Sequence, residues 1–171
     1  MSHPTLYQIN TRVWLRNLRS RLGRTTTLDD IPDTDLDWIR DQGFDWVWFL
    51  SVWQTGAAAR QVSLSDAGLR AAYAAVLPDL TDDDICGSGF AIAGYTTNLA
   101  LGGDAALRRL HQRLHDRGLR LLLDFVPNHM APDHPWVFRH PEYFVQGSAA
   151  DLLREPQNYF WSPTRTGDRI F

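Results

Sequence analysis

The sequence predicts an α/β fold in which parallel strands alternate with helices. Two continuous apolar runs, residues 44–52 and 119–126, have the composition of strands that are buried on both faces of a sheet. Each run follows a helical segment that ends at a glycine, Gly43 in the first case and Gly118 in the second. This repetition of helix, glycine and buried strand indicates successive β–α units, whose strands lie parallel in one sheet.

The first half of the chain begins with a strand. Residues 6–10 alternate between apolar and polar side chains, and residues 13–15 are predicted to form the exit of that strand. Residues 17–32 are polar and contain a glycine and a proline, so we predict a loop there. A short helix is predicted over residues 33–40, where an acidic or hydroxyl side chain can cap the first turn. The apolar strand over residues 44–52 follows it.

The second half contains a long connection over residues 53–103, with a helix predicted near residues 65–77. Connections of this length are uncommon in compact domains and are often functional. The clearest helix follows residue 103, because leucines recur there at i, i+3 and i+7 on one face. That helix leads to the strand over residues 119–126, and Pro127 ends the strand.

Proline-containing segments interrupt the chain after Pro127 and indicate irregular loops rather than another packed unit. We therefore divide the chain into a β–α part, residues 1–127, and a loop-rich part, residues 128–171. Three strands are too few for a closed (β/α)8 barrel, which takes about 250 residues. The pattern alone leaves two architectures open, a small doubly wound sheet and the first part of a barrel.

Composition excludes several classes of function. Hydrophobic residues make up 44% of the chain and charged residues 22%, so disorder over the whole length is excluded. The net charge is −3 and no basic run occurs, so we expect no nucleic-acid partner. The apolar run over residues 46–50 is too short to cross a bilayer, and the first residues lack the pattern of a signal peptide. With Cys86 as its single cysteine, the chain is expected to be cytoplasmic, without a disulfide or a membrane partner.

The stretch Asp-Phe-Val-Pro-Asn-His at residues 124–129 is the most informative for function. Asp124 ends a buried strand, and the ligand sites of parallel α/β folds lie at that end of the strands. Pro127 fixes the turn that presents Asn128 and His129, so a carboxylate, an amide and an imidazole occur within six residues. Such a cluster can bind sugar hydroxyls, hold a cation or position a reacting group. A purely structural interpretation also stays open, in which Asp124 accepts backbone N–H groups and His129 is an ordinary loop histidine.

Residues 124–129 also resemble the first conserved motif of the α-amylase superfamily, a large group of retaining enzymes that act on α-glucans. Other segments resemble the superfamily in the same order, over essentially the whole chain. They are the first barrel strand (residues 6–9), the second barrel strand (43–49), an aromatic segment (89–95) and the approach to the third strand (101–114). The resemblance implies that residues 1–127 are the first three β–α units of a (β/α)8 TIM barrel. It also implies that residues 128–171 begin an inserted, loop-rich domain B.

The resemblance implies binding roles for several residues. Asp124 would support the sugar in subsite −1, together with an arginine from a later strand, and His129 would hydrogen-bond the same sugar. Phe90 stands where the superfamily has a stacking tyrosine, so the ring face is kept and the hydroxyl is lost. Asn128 occupies the position of a calcium ligand in many members, and its oxygen suits a hard cation such as Ca²⁺. Trp53, at the exit of the second strand, is a candidate for the rim of the substrate cleft.

Two departures from the superfamily pattern affect the expected activity. Ala91 replaces the usual aspartate beside the stacking position, so any contact of that carboxylate is absent. Retaining glycosidases also need two carboxyl groups across the scissile bond. The superfamily carries them on the fourth and fifth strands, with a third acid after the seventh strand. We therefore expect no catalytic residue in these 171 residues and do not assign Asp124 as the nucleophile.

Three functions follow as hypotheses. The first is a fragment of an α-amylase-like enzyme that hydrolyses or transfers α-glucosidic bonds in an α-glucan or α-glucoside, the fragment alone being inactive. The second is a non-catalytic remnant that binds carbohydrate. The third is a small metallohydrolase that uses Asp124, His129 and Asp133. Because parallel strands without their neighbours expose an edge, we also expect the isolated chain to be poorly soluble or loosely packed.

Overall fold

A computed structural model describes residues 3–171 of the chain. The described residues divide into two compact units, which are interleaved along the sequence. Unit 1 extends to Thr55 and continues over residues 94–129, and unit 2 comprises residues 56–93 and 130–171. The sequence-based division has a single boundary after residue 127. In the structure, residues 56–93 belong to the same compact unit as residues 130–171.

The helices and strands alternate through most of the chain. In chain order they are β1 (Leu6–Asn10), α1 (Thr11–Leu22), α2 (Asp33–Asp41), β2 (Trp46–Leu50), β3 (Trp53–Thr55), α3 (Ala57–Ser65), α4 (Ala67–Val76), β4 (Ile92–Thr97), α5 (Gly103–His115), β5 (Arg120–Leu123), α6 (Pro135–Arg139), α7 (Ala149–Arg154), β6 (Trp161–Ser162) and β7 (Arg169–Ile170). Short 3₁₀ helices lie at Leu28–Asp30, Asp82–Asp84, Leu99–Leu101 and Pro141–Tyr143. Within residues 3–171, no helix combines the length and the apolar character that crossing a membrane requires.

Unit 1 is built on a parallel sheet of three strands in the order β1–β2–β5. In the register of the sheet, Gln8 of β1 lies opposite Trp48 of β2, and Trp48 lies opposite Leu122 of β5. The α/β class with parallel strands is therefore confirmed. Because the strands are parallel, their carboxyl ends meet at one edge of the sheet, where the segments after β1, β2 and β5 begin.

The core of unit 1 joins one face of β2 to the helices. Val47 and Phe49 are completely buried, and they belong to one cluster with Leu36 of α2 and with Leu110 and Leu114 of α5. Each such side chain contributes about 1.5–3 kcal/mol when it is fully buried. The alternate residues of β2 are only partly buried. The continuous apolar run is thus fully buried on one face of the strand, not on both as its composition predicts.

Helices α2 and α5 and strands β1 and β2 confirm the sequence-based predictions, but the prediction for residues 13–22 is wrong. Residues 13–15 and the start of the predicted loop, residues 17–22, belong to helix α1. The Asn10 side chain caps this helix by accepting a hydrogen bond from the backbone N–H of Val13, and Leu15 and Leu18 are buried in the core. Gly23 ends the helix with a φ of +66°, a conformation that glycine adopts without strain.

Unit 2 contains shorter elements. The helix predicted near residues 65–77 is confirmed as α4, and a further helix that was not predicted, α3, precedes it. The two helices meet at Asp66, whose carboxylate caps α4 at the Leu69 N–H. Residue 133 caps α3 in a similar way, since the Asp133 carboxylate accepts a hydrogen bond of 3.0 Å from the Ala58 N–H. The backbone N–H of Ala131 donates to Ile92 O at 2.9 Å. These contacts join the segment 56–93 to residues beyond 129.

Candidate substrate-binding site

Asp124 follows β5 directly and is 7% exposed. Both of its carboxylate oxygens accept hydrogen bonds from β2 and the turn after it. The Trp48 indole N–H donates to Oδ1 at 2.8 Å, and the Ser51 backbone N–H donates to Oδ2 at 2.5 Å. The Trp53 indole N–H donates to the backbone carbonyl of Asp124 at 2.8 Å. The carboxylate is therefore held in one orientation at the carboxyl edge of the sheet. The Asp124 carbonyl accepts its hydrogen bond from the Trp53 side chain and not from a neighbouring strand. Strand β5 accordingly ends at residue 123, and not at residue 126 as predicted.

The turn that brings Ser51 to Asp124 has an unusual backbone conformation. Ser51 is buried and has a φ of +63°, in the left-handed region that residues other than glycine rarely adopt. This conformation costs roughly 1–2 kcal/mol. Residues in such conformations persist where the surrounding structure holds them, and they concentrate at functional sites. In this conformation the backbone N–H of Ser51 donates its hydrogen bond to the Asp124 carboxylate.

An exposed aromatic cluster lies beside Asp124. It consists of Trp53, Tyr95 and Phe125, and we call it the aromatic rim. The ring of Tyr95 is 5.4 Å from that of Trp53 in an edge-on arrangement and 6.0 Å from that of Phe125. Tyr95 is 44% exposed and Phe125 77% exposed. Ring faces of this kind pack against the apolar faces of sugars, as they do against other apolar surfaces.

Tyr95 also fixes the segment that follows β5. Its hydroxyl accepts a hydrogen bond of 2.8 Å from the Val126 N–H and donates to Val126 O at 3.1 Å. The residue thereby holds the backbone between Asp124 and Asn128. Tyr95 was not predicted to belong to the site, although it lies in the aromatic segment 89–95. The resemblance of that segment to the superfamily was the available signal.

The predicted site also contains Asn128, His129 and Phe90. Asn128 and His129 are exposed, and their side chains make no hydrogen bond with other residues in the described part of the chain. Phe90 is 37% exposed and belongs to unit 2. The structure thus brings Asp124 and Trp53 together within unit 1, and leaves the polar ends of Asn128 and His129 available to a ligand.

The described residues do not by themselves form a metal site. Within residues 3–171, no group of three or more His, Cys, Asp and Glu side chains is placed to hold a metal ion. Asn128 offers one oxygen, whereas calcium takes six to eight. Asp133, the third residue of the metallohydrolase hypothesis, has its carboxylate engaged at the N-terminus of α3.

Comparisons with known proteins identify the family. The model of the α-amylase catalytic domain matches residues 22–169. The chain is 32% identical to an α-1,4-glucan:maltose-1-phosphate maltosyltransferase of Cereibacter sphaeroides over 126 residues, 71% of this chain and 17% of that protein. It is 24% identical to an α-glucosidase of Culex pipiens, over 96% of this chain and 22% of that protein.

A solved structure agrees with this family in fold. The crystal structure of an α-amylase from Lactobacillus plantarum aligns with a TM-score of 0.57 and 24% identity, over 85% of this chain and 27% of that one. The chain thus spans only 17–22% of the length of the two curated relatives. Because the family model covers most of the chain, with the Asp124 motif inside the matched region, the chain belongs to the α-amylase catalytic-domain family.

Proposed function

We propose that the chain forms the first three β–α units of a (β/α)8 barrel together with the start of domain B. The parallel order β1–β2–β5 and the family match over residues 22–169 support this assignment. In such a barrel the substrate binds at the carboxyl ends of the strands. Asp124 and the aromatic rim are at that edge of the sheet.

We further propose that this edge binds the glucosyl unit of an α-glucan or α-glucoside. The carrying observation is the buried Asp124, whose two carboxylate oxygens are fixed by donors from Trp48 and Ser51. Each carboxylate oxygen can accept a second hydrogen bond, so a sugar hydroxyl or an arginine finds an acceptor already oriented. The exposed ends of Asn128 and His129 supply further hydrogen-bonding groups on the same segment.

The reaction that fits this site is hydrolysis or transfer of an α-glucosyl group. Retaining enzymes of this type use two carboxyl groups about 5–5.5 Å apart. Asp124 is engaged in positioning contacts, so we assign it to substrate binding and place the catalytic acids on other strands of the complete barrel. On this proposal the 171-residue chain binds α-glucosides and does not turn them over.

Tryptophan fluorescence tests the proposal, because Trp48 and Trp53 flank Asp124. Maltoheptaose is titrated into the chain, with cellobiose as the β-linked control sugar. We expect Phe125→Ala to weaken maltoheptaose binding by roughly fivefold, since removal of one stacking contact costs about 1 kcal/mol. Phe138→Ala is the matched control, because Phe138 is also an exposed phenylalanine but lies in unit 2.

Three results would each overturn a part of the proposal. Cellobiose binding as tightly as maltoheptaose would exclude recognition of the α-linkage. Equal affinities of the two phenylalanine variants would exclude the aromatic rim as the binding surface. Turnover of 4-nitrophenyl α-glucoside by the purified chain would contradict the assignment of the catalytic acids to other strands.

A further inference from the structure

Arg12, the second residue of α1, has two guanidinium nitrogens without a partner. Its Nε and Nη2 atoms are buried, and neither forms a hydrogen bond within the part of the chain that the structure describes. The preceding residue, Thr11, is completely buried, and its hydroxyl oxygen also lacks a partner there. A guanidinium keeps its charge in proteins, so burial of two donors without an acceptor destabilises the ligand-free chain.

The two unpartnered nitrogens point to a specific class of ligand. The Nε–H and Nη2–H groups lie in the guanidinium plane and point from the same edge, so they form a fork that matches two oxygens of a carboxylate or phosphate. Arg109 shows the same pair of N–H groups bound to a carboxylate. Its Nε and Nη2 donate to the two carboxylate oxygens of Asp29 at 2.8 and 2.6 Å. The corresponding atoms of Arg12 have no such acceptor.

Arg12 follows a strand that ends at the same edge of the sheet as the proposed sugar site. Arg12 comes two residues after the end of β1, and Asp124 comes directly after the end of β5. Both strands run parallel to β2, so the two residues follow strands at the same edge of the sheet. No acidic residue lies in the first turn of α1, so the positive end of the helix dipole is not neutralised there.

We propose that Arg12 binds a two-oxygen anion, a carboxylate or a phosphate, through Nε and Nη2. This oxyanion site has two possible sources for its ligand. One is a phosphate group on the glycosyl donor, and the other is a carboxylate of the polypeptide itself. Only the first source rests on the proposed function, since the fork needs an anion whether or not the chain binds sugars.

Calorimetric titration of the whole 171-residue chain tests the site. The probes are sodium phosphate, sodium acetate and sodium chloride at constant ionic strength. We expect phosphate and acetate to bind and chloride not to bind. Arg12→Gln is expected to weaken binding at least tenfold, and Arg12→Lys is expected to weaken it as well, because lysine keeps the charge and loses the fork. Arg19→Gln removes an exposed arginine from the same helix and is expected to leave binding unchanged.

The probes also separate the two sources. Glucose 1-phosphate binding more tightly than inorganic phosphate supports a phosphorylated donor. Acetate binding as well as either phosphate supports a carboxylate of the polypeptide. The oxyanion site is overturned if no oxyanion binds better than chloride, or if Arg19→Gln weakens binding as much as Arg12→Gln.

Thermal melting provides a second measurement that does not depend on the ligand. Arg12→Gln is expected to raise Tm in the absence of oxyanions, because it removes a buried charge that has no partner. A lower Tm for this variant would assign Arg12 a structural role and overturn the proposal. The maltoheptaose titration reports on the aromatic rim, so the sugar site and the oxyanion site can fail independently.

Discussion

At the scale of single residues, the indole N–H groups explain why strand β2 and its exit carry tryptophans. Trp48 and Trp53 each bury much of an apolar ring and place one N–H on Asp124, a combination that phenylalanine and leucine cannot provide. Trp46, two residues earlier on β2, has a different role. Its ring lies 5.3 Å from the Arg120 guanidinium, a cation–π distance.

Replacement of Trp48 by phenylalanine tests the clamp on Asp124. The ring is largely retained, but Oδ1 of a buried carboxylate loses its donor, which costs about 1–3 kcal/mol. We expect Trp48→Phe to lower the free energy of unfolding in urea by about that amount. Trp46→Phe is the matched control, because it keeps an aromatic face for Arg120 and is expected to cost under 1 kcal/mol. Equal losses in the two variants would show that ring size, and not the hydrogen bond, stabilises the site.

The sequence predicted the central residue of the site and missed those that orient it. Asp124 was identifiable because it ends an apolar run and opens a polar motif. Its partners Trp48 and Ser51 lie 76 and 73 residues earlier in the chain. Contacts over such separations depend on the order β1–β2–β5, which hydrophobic periodicity does not specify.

At the scale of elements, arginines of α5 and of the turn after it bind carboxylates that precede β2. Arg109 forms a double hydrogen bond with Asp29 of the first 3₁₀ helix. Arg113 binds Asp33 at the start of α2 at 2.8 Å, and Arg117, which follows α5, reaches the same carboxylate at 2.9 Å. These ion pairs, whose carboxylates are exposed, orient α5 against α2, and the buried leucines of both helices supply the larger share of the packing energy.

The contacts of α5 predict a loss of stability in acid. The hydrogen bond from Arg109 lowers the pKa of Asp29, and the hydrogen bond from Arg113 lowers the pKa of Asp33. A carboxyl whose pKa is lower in the folded state stabilises the fold above its unfolded value, near 3.8, and this contribution is lost as the pH falls through the folded pKa. We therefore expect Tm to be steady from pH 7 to pH 5 and to fall below about pH 4.

Melting curves of Arg109→Gln and of Arg108→Gln, an exposed neighbour on the same helix, separate this contribution from general acid unfolding. Arg109→Gln is expected to show a smaller fall in Tm between pH 5 and pH 3. In this variant Asp29 lacks the hydrogen bond that lowers its pKa, so protonation of Asp29 removes less stability. Arg108→Gln is expected to follow the parent chain. A parallel decline in all three proteins would mean that Asp29 contributes nothing to the acid transition.

The predictability of each element depended on how clearly its apolar spacing stood out. Helix α5 and strand β2 were predicted because leucines and aromatic residues dominate them. Helix α1 was missed, although Leu15, Leu18 and Leu22 have helical spacing, because arginines and other polar residues surround them. Helix α3 was also missed, although it begins with three alanines, which favour a helix. Its N-terminus is capped by the distant Asp133, a contact that local sequence does not show.

At the scale of the whole molecule, the two interleaved units could not be predicted from local pattern. The segment 56–93 joins residues 130–171 through contacts such as Ala131 N to Ile92 O, which cross long stretches of chain. The open edge of the sheet, in contrast, was predicted. Among the described residues β1 pairs only with β2, and a cavity of about 360 Å³ lies along β1, lined in part by Tyr7, Trp14 and Trp38.

This edge predicts how the isolated chain behaves in solution. Unpaired backbone groups along an exposed strand edge favour pairing with another chain. We expect the chain to associate as its concentration rises, which sedimentation velocity measures directly. Leu6→Lys adds a charge at an exposed position of β1 and is expected to reduce association, because edge lysines oppose strand pairing. Leu99→Lys makes the same change at an exposed position outside the sheet and is expected to leave association unchanged.

The outcome distinguishes strand pairing at the edge of the sheet from nonspecific association of exposed apolar side chains. If Leu99→Lys suppresses association as strongly as Leu6→Lys, the added charge acts through solubility and not through β1. If the parent chain stays monomeric at all concentrations and melts in one sharp transition, the open edge is tolerated. In that case the three strands and the helices on them suffice for a stable fold. A selective effect of Leu6→Lys would instead show that β1 needs a neighbour, as the first strand of a closed barrel does.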